Sequence, residues 1–171
     1  MASVIRGSDN FDTATVGITS GTAVATTSGT SIDFTGIPAE TKRITVMFSG
    51  VSLSGMSHLL VQMGNTTPTV SGYTANTTYN TGVAVGVLSS VAGIPIQGGD
   101  ATYAIYGSLV LTNISGDIWT VSGVLGNTAN VAFTVASAGI VTLAATLDMI
   151  RLTTVNGTDT FDAGSINILY E

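Results

Sequence analysis

The chain has no cysteine and very little charge. Of its 171 residues, four are Lys or Arg and ten are Asp or Glu, so charged residues make up 8% against about 25% in an average globular domain. The lack of cysteine excludes disulfides, a zinc–thiolate site and a cysteine nucleophile. With a single histidine, the chain offers few groups for acid–base catalysis or for binding a metal. Composition therefore favours a structural or binding protein without a cofactor over an enzyme.

Further absences disfavour two classes of partner. The formal net charge is −6, which does not suit a groove for nucleic acid. No run of 18 apolar residues occurs, so we expect no membrane-spanning helix and no insertion into a membrane. The N-terminal residues lack a basic segment followed by an apolar core, so we expect no secretory signal.

What the chain does contain is a pattern of strands. Apolar residues make up 44%, and the many β-branched Thr, Val and Ile residues favour strands over helices. Apolar and polar residues alternate, so that Ile44, Val46 and Phe48 share one face of a predicted strand and Ile166 and Ile168 share a face of the last. The pattern predicts about ten short strands. The expected all-β fold is an antiparallel β-sandwich, and among sandwiches a jelly roll.

The chain divides into an arm and a domain. Residues 1–20 show little regular apolar pattern and are interpreted as an extended N-terminal arm, whereas residues 21–171 are interpreted as one β-sandwich domain. Within the domain, residues 65–99 are rich in Asn, Thr, Gly and Ser, which predicts long loops around one or two strands. Residues 131–147 are interpreted as two strands with a turn near Ser137 to Gly139.

Charge is missing from two long stretches of the domain. No Asp, Glu, Lys or Arg occurs between Arg43 and Asp100, or between Asp117 and Asp148. Exposed strands without charge are templates for pairing with another chain, and soluble monomers usually protect them. Such a surface is covered either by hydrated hydroxyl and amide groups or by copies of the same chain. We expect the second solution, in the form of a homotrimer.

Candidates for metal binding and catalysis are weak. Residues 9–12 and 156–162 are rich in side-chain oxygen, but their spacing does not match a calcium loop and is typical of turns. The single histidine, His58, is interpreted as structural, because no nucleophile-elbow motif accompanies it. Asp100 and Asp117 flank one predicted strand pair, which leaves a pair of carboxylates for glycoside cleavage open.

A weaker pattern predicts binding of a sugar. Tyr73 and Tyr79, with the amides of Asn76 and Asn80, are candidate contacts for a surface glycan, because tyrosine presents both an apolar ring and a polar tip. The alternative is that tyrosines of this chain belong to the core. Tyr103 and Tyr106, for example, face opposite sides of a strand, so one of them should be buried.

Six segments together resemble a module of phage and prophage tail-fibre proteins. They begin with GTSIDFTGIP at 29–38 and KRITVMFSGVS at 42–52, and they continue at 59–64, 111–116, 119–123 and 148–171. The resemblance covers residues 21–171. It implies a non-enzymatic virion protein, made in the host cytoplasm and located on the particle surface, whose domain is a distal adhesin that binds a host polysaccharide.

The short arm supports an alternative within the same particle. A β-domain of this size with an arm and no preceding shaft is also suited to a trimeric capsid decoration protein that stabilises the head lattice. In either case the expected partners are other copies of the chain and other virion proteins, from the tail or the capsid. In either case the arm, which lies outside the resemblance, is expected to attach the chain to the particle, with Arg6, Asp9, Phe11 and Asp12 as its candidate contacts.

Overall fold

A computed structural model describes residues 17–80, 84–128 and 133–171. These residues form strands and no helix, so the predicted all-β fold is confirmed, and nothing in the described ranges could cross a membrane as a helix. The strands are β1 (Thr19–Ser20), β2 (Val24–Ala25), β3 (Ser31–Thr35), β4 (Arg43–Leu53), β5 (Leu59–Asn65), β6 (Thr67–Pro68), β7 (Thr74–Asn80), β8 (Val85–Ser90), β9 (Ile94–Ile96), β10 (Ile105–Ser115), β11 (Ile118–Asn127), β12 (Phe133–Thr142), β13 (Met149–Thr154) and β14 (Phe161–Tyr170).

The strands form two antiparallel sheets. Sheet A has the order β1-β14-β4-β10-β11-β12-β7-β8, and β2 also pairs with β14. Sheet B has the order β3-β13-β5-β6, and β9 also pairs with β5. The chain crosses between the sheets repeatedly, for example from β3 in sheet B to β4 in sheet A. Residues from both sheets share one apolar core, an arrangement consistent with a β-sandwich.

The core confirms the predicted strand faces. Ile44, Val46 and Phe48 of β4 are buried, as are Ile166 and Ile168 of β14. Their neighbours along each strand are more exposed, because successive side chains of a strand point to opposite sides of the sheet. The period-2 pattern therefore identified which residues stabilise the sandwich.

The predicted turn near Ser137 is wrong. Strand β12 runs unbroken through this segment, and Ser137 points into the core, where its hydroxyl donates to the Pro95 carbonyl at 3.0 Å and meets the Thr77 hydroxyl at 2.8 Å. Gly139 lies close to Ile94 and Ala75, and a Cβ at Gly139 would stand 2.6 Å from the Ile94 Cδ1. Ser and Gly thus serve close packing between the sheets here, and not chain reversal.

The segment from 65 to 99 is also more regular than predicted. In its described part it contains the four strands β6, β7, β8 and β9, and β7 pairs with both β8 and β12. Alternate residues of β7 are buried even though the strand is rich in Asn and Thr. Sheet pairing therefore overrides the preference of the asparagines for loops.

The chain enters sheet A before the predicted domain boundary. Strand β1 pairs with β14, placing Thr19 opposite Tyr170 and Ser20 opposite Leu169. The residues proposed for attachment, Arg6, Asp9, Phe11 and Asp12, lie outside the described residues.

Candidate functional site

The outward face of sheet A carries continuous rows of uncharged side chains. Strand register aligns these rows across the sheet, perpendicular to the strands. One row crosses all eight strands of the main path, in the order Ser89, Asn76, Ala138, Ser122, Val110, Thr45, Leu169 and Ser20. A parallel row contains Val87, Thr78, Ala136, Val124, Ser108 and Met47.

Five adjacent strands of this sheet, β10, β11, β12, β7 and β8, contain no Asp, Glu, Lys or Arg at all. We refer to their outward side as the neutral face. Val124 near its middle is 63% exposed, and Val85 and Val87 are exposed on the terminal strand β8. Small residues such as Ala136 and Ala138 protrude little from the centre of the face. The outward residues of β7 are all Thr or Asn.

The outward side of sheet B is built differently. Arg151 makes a bidentate ion pair with Asp33 on the neighbouring strand, with two N–O distances of 2.7 Å. This hydrogen bonding raises the pKa of Arg151. In the same row, the Gln62 amide donates to the Ala92 carbonyl at 2.8 Å. Leu60 also points to this side, yet it is only 5% exposed. Sheet B therefore presents an ion pair and a covered leucine on its outward side, whereas the neutral face of sheet A presents no charge.

The tyrosines proposed for sugar binding lie on the inward side of β7 and its approach. Tyr73 is 2% exposed, and its hydroxyl accepts from the Met63 N–H at 2.8 Å and donates to the Met63 carbonyl at 3.2 Å. Burial raises the pKa of Tyr73 to about 12. Tyr79 is half-buried, packs 6.3 Å from the Phe133 ring and stands over Gly86 on β8. Neither ring forms an open platform, because odd-numbered positions of this segment face the core.

The two asparagines lie on the opposite side. Asn76 and Asn80 point outward on the neutral face, and the Asn76 amide oxygen accepts from the Ser89 hydroxyl at 2.7 Å. An open groove of about 300 Å³ lies beside Asn76 at the β7–β8 margin. It is lined by Tyr73, Thr74, Ala75, Asn76, Ser89, Ser90 and Val91. The structure thus separates the four predicted contacts into two buried or half-buried rings and two exposed amides.

The second pair of tyrosines divides as the strand pattern predicts. Tyr103 packs against the core, with its ring 5.4 Å from Phe133 in an edge-on arrangement. Tyr106 is exposed on the neutral face, and its ring lies across Gly126 on β11. A side chain at Gly126 would overlap that ring, so the ring can pack here because residue 126 is glycine. Tyr106 is therefore the aromatic residue that shares a face with Asn76 and Asn80.

The carboxylates proposed for glycoside cleavage do not meet. Asp100 precedes β10 and Asp117 follows it, and an 11-residue strand is about 35 Å long. Cleavage by a carboxylate pair needs a separation below about 10 Å. Asp100 instead accepts from the Thr102 N–H at 2.8 Å and from the Thr102 hydroxyl at 2.7 Å, which lowers the pKa of Asp100. Asp100 therefore caps a turn, and Asp117 lies in the turn between β10 and β11.

His58 borders a shallow groove of about 470 Å³ with Ser57, Asn156 and Asp159. The Ser57 hydroxyl donates to the His58 carbonyl at 3.2 Å and accepts from the Asn156 N–H at 3.2 Å, so it is directed to the backbone and not to the imidazole. The Asp159 carboxylate accepts from the Ser57 N–H at 2.8 Å. Burial lowers the pKa of His58. These contacts are those of a turn and do not form a Ser-His-Asp relay.

Residues 156–160 of the oxygen-rich segment 156–162 form the turn and connection before β14, which begins at Phe161. The Asn156 amide oxygen accepts from the backbone N–H groups of Thr158 and Asp159 at 3.0 and 3.1 Å. Within the described ranges, no group of three or more His, Asp and Glu side chains could hold a metal ion. The segment 9–12 lies outside these ranges.

The sequence interpretation missed the outward residues of β10, β11 and β12. Their signal was present as period-2 alternation within a stretch that lacks charge, with Val124 and Ala136 at positions that a soluble strand usually gives to polar residues. No family model matches the chain, and no curated protein or solved structure matches it either. The resemblance to a tail-fibre module therefore stays a prediction.

Proposed function

We propose that the chain is a non-enzymatic structural protein of a bacteriophage particle, acting as a tail-fibre-like distal adhesin that binds a host-surface glycan. The proposal includes a jelly-roll arrangement of the sandwich, assembly as a homotrimer, and attachment to the particle through residues 1–20. The observation that carries it is the neutral face of sheet A. Hydroxyl, amide and apolar groups without formal charge suit a particle surface that assembles with copies of itself and contacts uncharged polysaccharide.

The β7–β8 margin is the part of this face that fits a sugar. The exposed Asn76 amide and Ser89 hydroxyl lie beside the 300 Å³ groove, and both can donate and accept hydrogen bonds. Polar groups of this kind fix the orientation of a ligand whose remaining contacts are apolar, such as those offered by the exposed Val91 at the same groove. The absence of charge in β7 and β8 favours a neutral polysaccharide over a charged one.

A binding assay tests this site. The purified chain is applied to immobilised neutral polysaccharides extracted from candidate host cells, beside the variants Asn76→Ala and Asn65→Ala. Asn65 is a matched control, because it is an exposed asparagine at the end of β5 and does not line this groove. Loss of one hydrogen-bonding amide costs about 1 kcal/mol, so Asn76→Ala should weaken binding roughly fivefold to tenfold. Equal binding by Asn76→Ala and the unchanged chain would remove the groove from the proposal.

The breadth of the neutral face favours a second function, that of a capsid decoration protein. A flat neutral surface can make many weak contacts that are repeated over a lattice, and their combined strength can be large. Counting copies per particle by quantitative mass spectrometry separates the two functions. Hundreds of copies would place the chain on the capsid, whereas a few tens or fewer would place it in the tail, because the two positions have different symmetry. Absence from purified particles would contradict both.

A further inference from the structure

We infer that the neutral face of sheet A is the surface through which copies of this chain pack against one another. The inference rests on the homotrimer of the proposed function and names its contact surface, which no single stretch of sequence identifies. The centre of the face is formed by Val110 on β10, Val124 on β11 and Ala136 on β12.

The distribution of charged residues favours this face for contact between copies. Each copy carries a formal net charge of −6, so two copies repel one another at long range. In the described residues, Asp33 and Arg151 lie on sheet B, and Arg43 and Asp162 lie on β4 and β14 of sheet A, outside the neutral face. Glu171 follows β14 and pairs with Arg43, and the other charged residues lie in connections between strands. The neutral face is thus where two copies can meet without bringing carboxylates together or burying an unpaired charge.

The composition of the face resembles the centre of a protein interface. Interface centres are depleted in charge and enriched in apolar and aromatic groups, whereas their rims are polar. Val124 and Val110 occupy the middle of the neutral face, Tyr106 lies near one end, and Asn76 and Thr78 on β7 form a polar margin. That margin contains the proposed glycan groove, which remains at the rim of the contact.

The size of the face is sufficient for a specific contact. Five strands at about 4.8 Å spacing and seven residues at about 3.3 Å give a flat area of roughly 550 Å². The accessible surface of protruding side chains exceeds this flat area. Specific interfaces begin at about 600 Å² per partner, so the neutral face of one copy can supply such a contact.

The occupant is another copy of this chain because, in the described residues, β8 is an edge strand with no further strand paired beside it. Val85 and Val87 are exposed on this terminal strand of sheet A, and the strand has no charge to prevent association. Edges and faces without charge favour association with another chain, and the partner always present at equal concentration is the chain itself.

Analytical ultracentrifugation of the full chain at micromolar concentration tests the inference. The unchanged protein should sediment as an oligomer, and Val124→Lys should shift it to monomer because it places a charge at the centre of the contact. Val155→Lys is the matched control: Val155 is 55% exposed in the β13–β14 turn, and this variant should keep the oligomer. A monomeric unchanged protein would overturn both the inference and the homotrimer, but would leave membership of the particle to the copy count.

A second measurement does not depend on the folding of the lysine variant. Because the chain has no cysteine, Ser122→Cys and Val155→Cys each accept a single spin label. On association, the label at 122 should become inaccessible to a water-soluble relaxation agent, whereas the label at 155 should stay accessible. An oligomer in which the label at 122 remains accessible would preserve the homotrimer and reject this surface.

Discussion

The outward sides of the two sheets differ in how far their apolar residues are covered. On sheet B, Leu60 is 5% exposed and lies in a row next to the Asp33–Arg151 ion pair. On sheet A, Val124 occupies the same kind of outward position and is 63% exposed, with no charged residue on its own strand or on the two strands beside it. Within the described residues, sheet B covers its outward leucine, whereas sheet A leaves outward apolar residues exposed.

Truncating one outward residue on each sheet should give the largest contrast. We expect Leu60→Ala to lower the free energy of unfolding by about 2–4 kcal/mol, because it leaves a cavity beside Gly93 and Gln62. Val124→Ala should change the stability of the monomer by less than about 0.5 kcal/mol. Urea unfolding followed by the fluorescence of the buried Trp119, at a concentration where the chain is monomeric, measures both. Equal losses would show that the two sides do not differ.

Tyr73 stabilises the edge of sheet B within one chain. Strand β9 pairs with β5 from Leu59 to Val61 and β6 pairs with it from Gly64, and between them the Tyr73 hydroxyl bonds both backbone groups of Met63. Tyr73→Phe leaves a buried N–H without this acceptor and should cost about 1–3 kcal/mol in urea unfolding. Tyr79→Phe is the control, because that half-buried ring packs against Phe133 and should lose less. A stable Tyr73→Phe variant would contradict the structural role assigned here.

The same residue predicts a fall in stability at alkaline pH. An unfolded tyrosine ionises near pH 10, whereas burial raises the pKa of Tyr73 to about 12. Between these values the unfolded chain has released a proton that the folded chain retains, so the contribution of Tyr73 is complete below pH 10 and is lost as pH rises to about 12. The loss should approach about 1.4 kcal/mol per pH unit. Urea midpoints of the unchanged chain and Tyr73→Phe should converge over this interval, and parallel curves would contradict it.

The smallest expected effect concerns the ion pair on sheet B. The partners are about one-third exposed, so Arg151→Gln should cost only about 0.2–1 kcal/mol of unfolding free energy. The loss should shrink at high salt, which screens the attraction. A double-mutant cycle with Asp33→Asn isolates the pair. An undiminished loss in molar salt would show that packing of the Arg151 stem, and not charge, stabilises this side.

The fold class could be predicted from sequence because its cause is local. β-branched residues and period-2 alternation predicted buried positions such as Ile44 and Ile168 without knowledge of which strands pair. The same local reasoning failed for β7 and β12. Asn76 and Ser137 are residues that favour turns, and pairing between distant strands holds them in extended conformation.

The candidate site was predicted only in part for a related reason. Asn76 and Asn80 are exposed as expected, whereas Tyr73 is buried because a one-residue step along a strand changes the side of the sheet. In a loop, successive side chains do not alternate between two sides, so a loop interpretation places all four residues in one contact surface. Strand β7 instead directs the rings and the amides to opposite sides of the sheet. Tyr106 shares the outward side with the asparagines through pairing with Gly126 on β11, and that register is not a local property of the sequence.

Local sequence is sufficient to predict that the chain forms strands and to show that two long stretches, 44–99 and 118–147, contain no formal charge. That these stretches meet is a property of the folded chain. Strand β12 from the second stretch pairs with β7 from the first, with Ala138 opposite Asn76. Composition fixes how charged each strand is, but a neutral surface requires neutral strands to be neighbours. Neighbours in a sheet are selected by the packing of the whole core, which joins residues about sixty positions apart in this chain.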